Sequence, residues 1–213
     1  RWRETCSDST NMGFGRQSQK KSFKLNTEPN GFKRHGENEY QAKFSESERE
    51  VLINLTEQII ELLAERVDHA HDDPLAAMVG ITVHDSPPED EVLLRLLPNA
   101  YADELSSSEF RRYTESTLRD KKRAHAMAMR SNLINSGDLA IDLDHDGAMA
   151  WLGAMNDIRL ALGVRLKIED NSQEHLELLK PDDPLRAVYA VYTWLGWLQE
   201  SLIQALMDDV PER

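Results

Sequence analysis

At 213 residues, 40% of them apolar and 30% charged, the chain is long enough to bury a core, and one domain with a loosely attached arm is its simplest organisation. Its formal charge of −13 is unevenly placed: residues 1–43 carry nine Lys or Arg against five Asp or Glu, a net of +4, and the remainder carries 16 against 33, a net of −17. An acidic body repels phosphate backbones, which argues against independent nucleic-acid binding through it, and no apolar run approaches the roughly 18 residues that a membrane span needs.

Residues 1–39 mix Gly, Ser, Asn, Lys and Gln without periodicity and read as an irregular basic arm, with Trp2, Phe14 and Phe23 as its candidate anchors. Its amino end has charge but no apolar run behind it, so no secretory signal is read and a cytoplasmic protein is expected. Residues 40–213 read as a single acidic helical domain. Tyr40–Phe44 alternates apolar and polar residues as a half-buried strand does. Ser45 and Glu48 then stand at capping-box spacing, and Val51, Leu52, Leu55, Ile59, Leu62 and Leu63 share one face of a helix that ends near Val67.

Asp72-Asp-Pro-Leu75 and Asp182-Asp-Pro-Leu185 repeat one device, an Asp cap before a Pro in the first helical position. The first opens a short helix stopped at Gly80. Glu89–Leu97 is a second short helix, with acids in its first turn and a stop at Pro98. Asn99–Ser107 reads as a connector and Ser108–Leu133 as a long polar helix. Its thin apolar stripe is Phe110, Thr114, Leu118, His125, Met129 and Leu133, and Lys121-Lys122-Arg123 forms its wet side.

Gly137 breaks that helix. Leu139, Ile141 and Leu143 alternate as a second short strand, suited to pairing with residues 40–44. Asp144 caps the next helix, which buries Trp151, Met155, Ile158, Leu162 and Leu166. The last helix runs from Pro184 to about Met207 with Leu185, Val188, Tyr192, Leu195, Leu198, Leu202 and Leu206 inward. The predicted class is mainly α: five to six helices, a two-stranded β ribbon and an irregular amino-terminal arm.

Chemical motifs are sparse. Asp142-Leu-Asp-His-Asp-Gly147 imitates the opening of a calcium-binding loop, but the closing carboxylate position holds Gly153, and a strand-to-helix turn with an Asp cap is the better reading. Asp68-His69-Ala-His71-Asp72 has no third ligand at a useful spacing and reads as a solvated turn. Gly13-Phe-Gly15 lacks the rest of a nucleotide loop, and no Gly-x-Ser-x-Gly elbow occurs. No catalytic residue, cofactor site or metal site is expected.

Two features carry functional interest. Asn156, Asp157, Arg159, Arg165, Gln199 and Glu200 are polar groups set in the two most apolar helices. They form either an internal network, with Asp157 or Glu200 paired to Arg159 or Arg165, or a partner-binding groove lined by Trp194 and Trp197. Cys6, the chain's one cysteine, lies in the basic arm, where a thiolate is accessible and modestly favoured. It is the redox candidate. An internal disulfide within these residues is excluded, so its oxidation would yield a sulfenic acid, a mixed disulfide or an intermolecular bridge. The final helix also offers a stripe wide enough for a homodimer or for a core.

Four ordered strings are similar to one family: Arg95-Leu-Leu-Pro-Asn-Ala-Tyr101, Glu109-Phe-Arg-Arg-Tyr-Thr-Glu115, the Asn156–Leu166 core of the Trp151–Ile168 helix, and Trp194–Leu202. The chain resembles the actinobacterial oxidative-stress-regulator family called AosR, formerly a domain-of-unknown-function family, over about residues 40–207. The resemblance implies a cytoplasmic, non-enzymatic regulator that acts by protein contact with the transcription machinery, RNA polymerase or a sigma factor. The body's acidity suits that role. A scaffold or adaptor in protein quality control is the alternative reading of an acidic helical body that carries Trp and Arg.

Overall fold

A computed structural model describes residues 31–64, 86–137, 139–169, 179–180 and 182–208. Cys6, the pair His69 and His71, Gly13-Phe-Gly15, the end of the first long helix near Val67 and the short helix expected up to Gly80 lie outside the described residues. Within them the order is β1 (Lys33–Gly36), β2 (Glu39–Ala42), α1 (Glu46–Ala64), α2 (Glu91–Leu96), α3 (Glu104–Asn135), β3 (Ile141–Leu143), α4 (His145–Leu166) and α5 (Pro184–Met207).

The fold is mainly helical, as expected, and its sheet is larger than expected. It has three antiparallel strands in the order β1-β2-β3. The pairing foreseen between residues 40–44 and the strand after Gly137 is present, with Tyr40 opposite Leu143, Gln41 opposite Asp142 and Ala42 opposite Ile141. The additional strand, β1, comes from the last part of the segment read as irregular. Its charged sequence, Lys33-Arg-His-Gly36, shows no alternation because its side chains are mostly exposed at the sheet edge, where charge is favoured. A tight turn at Glu37-Asn38 joins it to β2, with Asn38 at φ 56°, a left-handed conformation that Asn tolerates.

Caps punctuate the helices where the residues demand it. Ser45 and Glu48 form a full capping box: the Ser45 amide donates to the Glu48 carboxylate at 2.8 Å and the Glu48 amide to the Ser45 hydroxyl at 3.4 Å. Asp90, Asp103, Asp144 and Asp183 each accept backbone N–H groups at the start of α2, α3, α4 and α5. Asp103 explains why α3 begins at Glu104 and not at Ser108: the cap lies inside the stretch read as a connector.

The core gathers around α4, which packs against α2, α3 and α5 and touches α1 and the sheet. Trp151 of α4 is fully buried, its ring stacked on Phe44 at 5.9 Å and edge-on to Phe32 at 5.4 Å, while Phe44 meets Trp194 of α5 edge-on at 6.3 Å. The Trp151 indole N–H donates to the Asn132 side-chain oxygen at 3.0 Å, which satisfies its one polar atom. All five expected α4 residues, Trp151, Met155, Ile158, Leu162 and Leu166, are buried. Leu195, Leu198 and Leu202 of α5 are fully buried against them.

Candidate functional site

The amino-terminal half of α3 departs from its predicted stripe. Phe110 and Leu118 are 44% and 38% exposed, and the buried face is instead Ser107, Arg111, Glu115 and Arg119, spaced four residues apart. Glu115 is the hub: Arg111 donates to one of its oxygens at 2.5 Å and Arg119 to the other at 2.9 Å. Each arginine also closes a helix end. Arg111 donates to the Leu97 carbonyl at 3.1 Å and to the Asn99 side chain at 2.8 Å, at the end of α2, and Arg119 donates to the Leu63 carbonyl at 3.1 Å, at the end of α1. Terminal carbonyls of two helices thereby gain partners that their own turns cannot supply. The ladder welds α1, α2 and α3 together, and it unites two of the strings singled out above, residues 95–101 and 109–115.

Burial pushes the Glu115 carboxyl up, and the bonds from Arg119 and Arg111 outweigh it, so its pKa lies below the ordinary 4.5. A folded pKa below the unfolded one means stability that is present above about pH 4.5 and lost as pH falls through the lower folded value. Thermal melts between neutral pH and pH 3 are expected to lose this contribution below the ordinary Glu range, and the same series on Glu115→Gln is expected to be flatter there. Asp157 runs the other way, because burial holds its carboxyl above the ordinary 3.8 against the pull of Lys122. Its shift favours the folded state as pH falls, so the difference between the two proteins isolates Glu115.

Asp157 is buried and pairs with Lys122 of α3 at 2.5 Å, not with Arg159 or Arg165. Lys122 thus leaves the wet side expected for its run and bridges α3 to α4. His125 lies beside this pair, against Gly153, where even a Cβ would collide with its ring. Burial and the Lys121 ammonium hold its imidazole below the ordinary pKa.

Arg159 reaches across to α5. It donates to the Gln199 side chain at 2.6 Å and to the Tyr192 hydroxyl at 3.5 Å, and it lies over the Tyr192 ring at 4.9 Å. Gly196 of α5 lies against the same guanidinium. Gln199 in turn donates to the Leu152 carbonyl at 3.4 Å. Of the remaining predicted residues, Asn156, Arg165 and Glu200 are exposed, and Glu200 accepts from Gln204 at 3.0 Å. The polar residues therefore split into two separate contacts, Asp157 towards α3 and Arg159 towards α5.

Trp194 is 6% exposed and belongs to the aromatic core, and Trp197 is partly buried over Gly31. Asp142 of the calcium-like string accepts from Gln41 across the β ribbon at 2.7 Å, and Asp144 caps α4. Among the described residues, no three His, Cys, Asp or Glu side chains gather as metal ligands. No described helix is long and apolar enough to cross a membrane.

A family model described as "Domain of unknown function (DUF2017)" matches residues 29–206. A protein of Mycobacterium tuberculosis named oxidative stress regulator AosR is 33% identical over 183 residues, covering 79% of this chain and 82% of the relative, and a Mycobacterium bovis protein of the same name matches equally. A Mycobacterium leprae protein named putative oxidative stress regulator AosR is 34% identical over 172 residues, 74% of this chain and 77% of its own length. No solved structure matches the chain significantly. The family model's match spans the caps, the arginine ladder, both polar contacts and the aromatic core, and the chain belongs to the AosR oxidative-stress-regulator family, the domain family DUF2017.

Proposed function

We propose that the chain is a regulator of the oxidative-stress response that works by protein contact with RNA polymerase or a sigma factor and catalyses no reaction. The observation that carries this reading is the 33% identity, over 79% of the chain, to proteins named oxidative stress regulators. The chemistry of the folded body is consistent with it. Buried and half-buried charged side chains join its helices: Glu115 holds two arginines, Asp157 pairs with Lys122, and Arg159 reaches Gln199 and Tyr192. The acidity of residues 44–213 disfavours direct DNA contact and suits a basic protein partner. Cys6 is the proposed residue through which oxidant is read.

A strain lacking the chain tests the regulatory claim. Its transcript response to hydrogen peroxide is expected to differ from wild type, and the full-length chain is expected to restore it. An unchanged response would count decisively against regulation.

A further inference from the structure

We propose that the start of α3, with the connector before it, is a docking surface for a basic amphipathic segment of a partner protein. This rests on the reading that the chain acts by protein contact, and it names where that contact falls. Four large apolar side chains stand out from these turns: Leu105 is 73% exposed, Tyr113 62%, Tyr101 52% and Phe110 44%. Tyr101 and Phe110 meet edge-on at 5.7 Å, so the connector and the helix present one aromatic surface. A soluble chain has little reason to hold rigid aromatic groups in water unless something covers them, and Tyr and Phe are favoured anchors at interfaces.

Hollows flank this ridge on two sides. One, open and of about 570 Å³, is bounded by Ser86, Asn99, Leu105, Ser107 and Arg111. The other lies between Pro98 and Ala100 on one side and Phe110, Thr114 and Leu118 on the other. Both are floored by Ser107 and Arg111. The Ser107 hydroxyl is buried, with the residue 5% exposed, and has no hydrogen-bond partner. An unsatisfied buried hydroxyl at the bottom of a cleft is where a bound segment would supply the missing bond.

Charge selects the occupant. Residues 86–118, which hold the whole ridge, carry seven acids, Glu89, Asp90, Glu91, Asp103, Glu104, Glu109 and Glu115, against three bases, Arg95, Arg111 and Arg112, a net of −4. A net acidic segment that bears an aromatic ridge disfavours acidic partners and nucleic acid and draws Lys and Arg flanking an apolar side chain. The ladder beneath makes the platform rigid, because Arg111 ties the connector to α3 through Leu97 and Asn99. A preorganised surface loses little entropy on binding.

The test uses the full chain, a Tyr101→Ser/Tyr113→Ser variant, and a control variant, Met127→Ser/Ile134→Ser, which removes equally exposed apolar groups from the far half of the same helix. Circular dichroism melts first establish whether all three fold alike. The probes are polymerase and sigma subunits recovered from cells, and a synthetic leucine–lysine amphipathic peptide followed by fluorescence anisotropy, with a leucine–glutamate peptide as its charge control. The proposal expects the patch variant to lose about tenfold or more in both arms, the control to match wild type, and the glutamate peptide not to bind. Polymerase recovery that is equal in all three proteins overturns the surface and leaves the protein-contact reading standing. Absent polymerase recovery with patch-dependent peptide binding sinks the partner named above and keeps the surface. Peptide binding equal in all three, or self-association abolished only in the patch variant, overturns the assignment to a basic partner.

Discussion

Glu115→Ala is expected to destabilise the fold by about 3–5 kcal/mol, the cost of leaving charges buried without their partner. The carboxylate sits between two guanidinium groups that water hardly reaches, and without it the like charges of Arg111 and Arg119 face each other in a poorly solvated cleft. Replacing all three residues by apolar ones of similar size would remove that repulsion, but recovery would be incomplete. The Leu63 and Leu97 carbonyls would lose their donors, at about 1–3 kcal/mol for each that stays buried. Urea unfolding at neutral pH measures the difference. Glu109→Ala, at an exposed position on the same helix, is the control and is expected within about 0.5 kcal/mol of wild type. A loss below about 1 kcal/mol for Glu115→Ala would mean that the ladder is solvated and contributes as an ordinary surface pair does.

Trp151→Ala is expected to cost a similar amount, about 3–5 kcal/mol, for a different reason. Here the loss is volume: Phe32 and Phe44 would face a void, and the Asn132 side chain would lose its donor. Phe32 precedes β1 and Phe44 follows β2, so the hairpin is held to the helices through this ring. Amide hydrogen exchange in residues 33–42 is therefore expected to accelerate more than exchange in α3, which is also held to α1 and α2 by the arginine ladder. Trp151→Phe should retain most of the packing. Uniform acceleration across the whole chain would show that the cluster does not anchor the hairpin separately. Against a typical total of about 5–15 kcal/mol, either alanine variant removes a large share of the stability.

The helices α1, α4 and α5 were legible because their burial follows apolar spacing. Trp151, Met155, Ile158, Leu162 and Leu166 recur at three and four residues, and all are buried. The Asp144 and Asp183 caps and the Ser45–Glu48 box were legible for a related reason: they are local, and their chemistry lies within a few residues. What was not legible depends on distant partners. Arg111, Glu115 and Arg119 stand outside the apolar stripe expected for α3, and alternating charges four residues apart are also what an exposed helix carries. Only the carbonyls of Leu63 and Leu97, which lie outside α3, distinguish the two cases. The strand β1 was missed for the opposite reason, since an exposed edge strand has no apolar alternation to read.

The polar residues of α4 and α5 show how far residue types alone can reach. Asp157 and Arg159 stand two positions apart, so on a helix they face different neighbours, and an acid and a base close in sequence need not pair. Lys122 takes Asp157 and Gln199 takes Arg159. Trp194 was one wall of the alternative groove, yet a tryptophan in an apolar stripe is as well suited to a core, and Phe44 provides the ring against which it packs. Among the described residues the exposed aromatic groups are Tyr101, Phe110 and Tyr113, two of which lie on a helix whose apolar stripe was expected to be buried.

The most direct test of protein-contact regulation is quantitative affinity purification of the full chain from cells with and without hydrogen peroxide, alongside Cys6→Ser, with partners read by mass spectrometry. The account predicts recovery of RNA polymerase or sigma subunits, with an oxidant dependence that Cys6→Ser abolishes. Recovery of protease or chaperone subunits alone, in every condition, would contradict it and identify the chain as an adaptor in protein quality control.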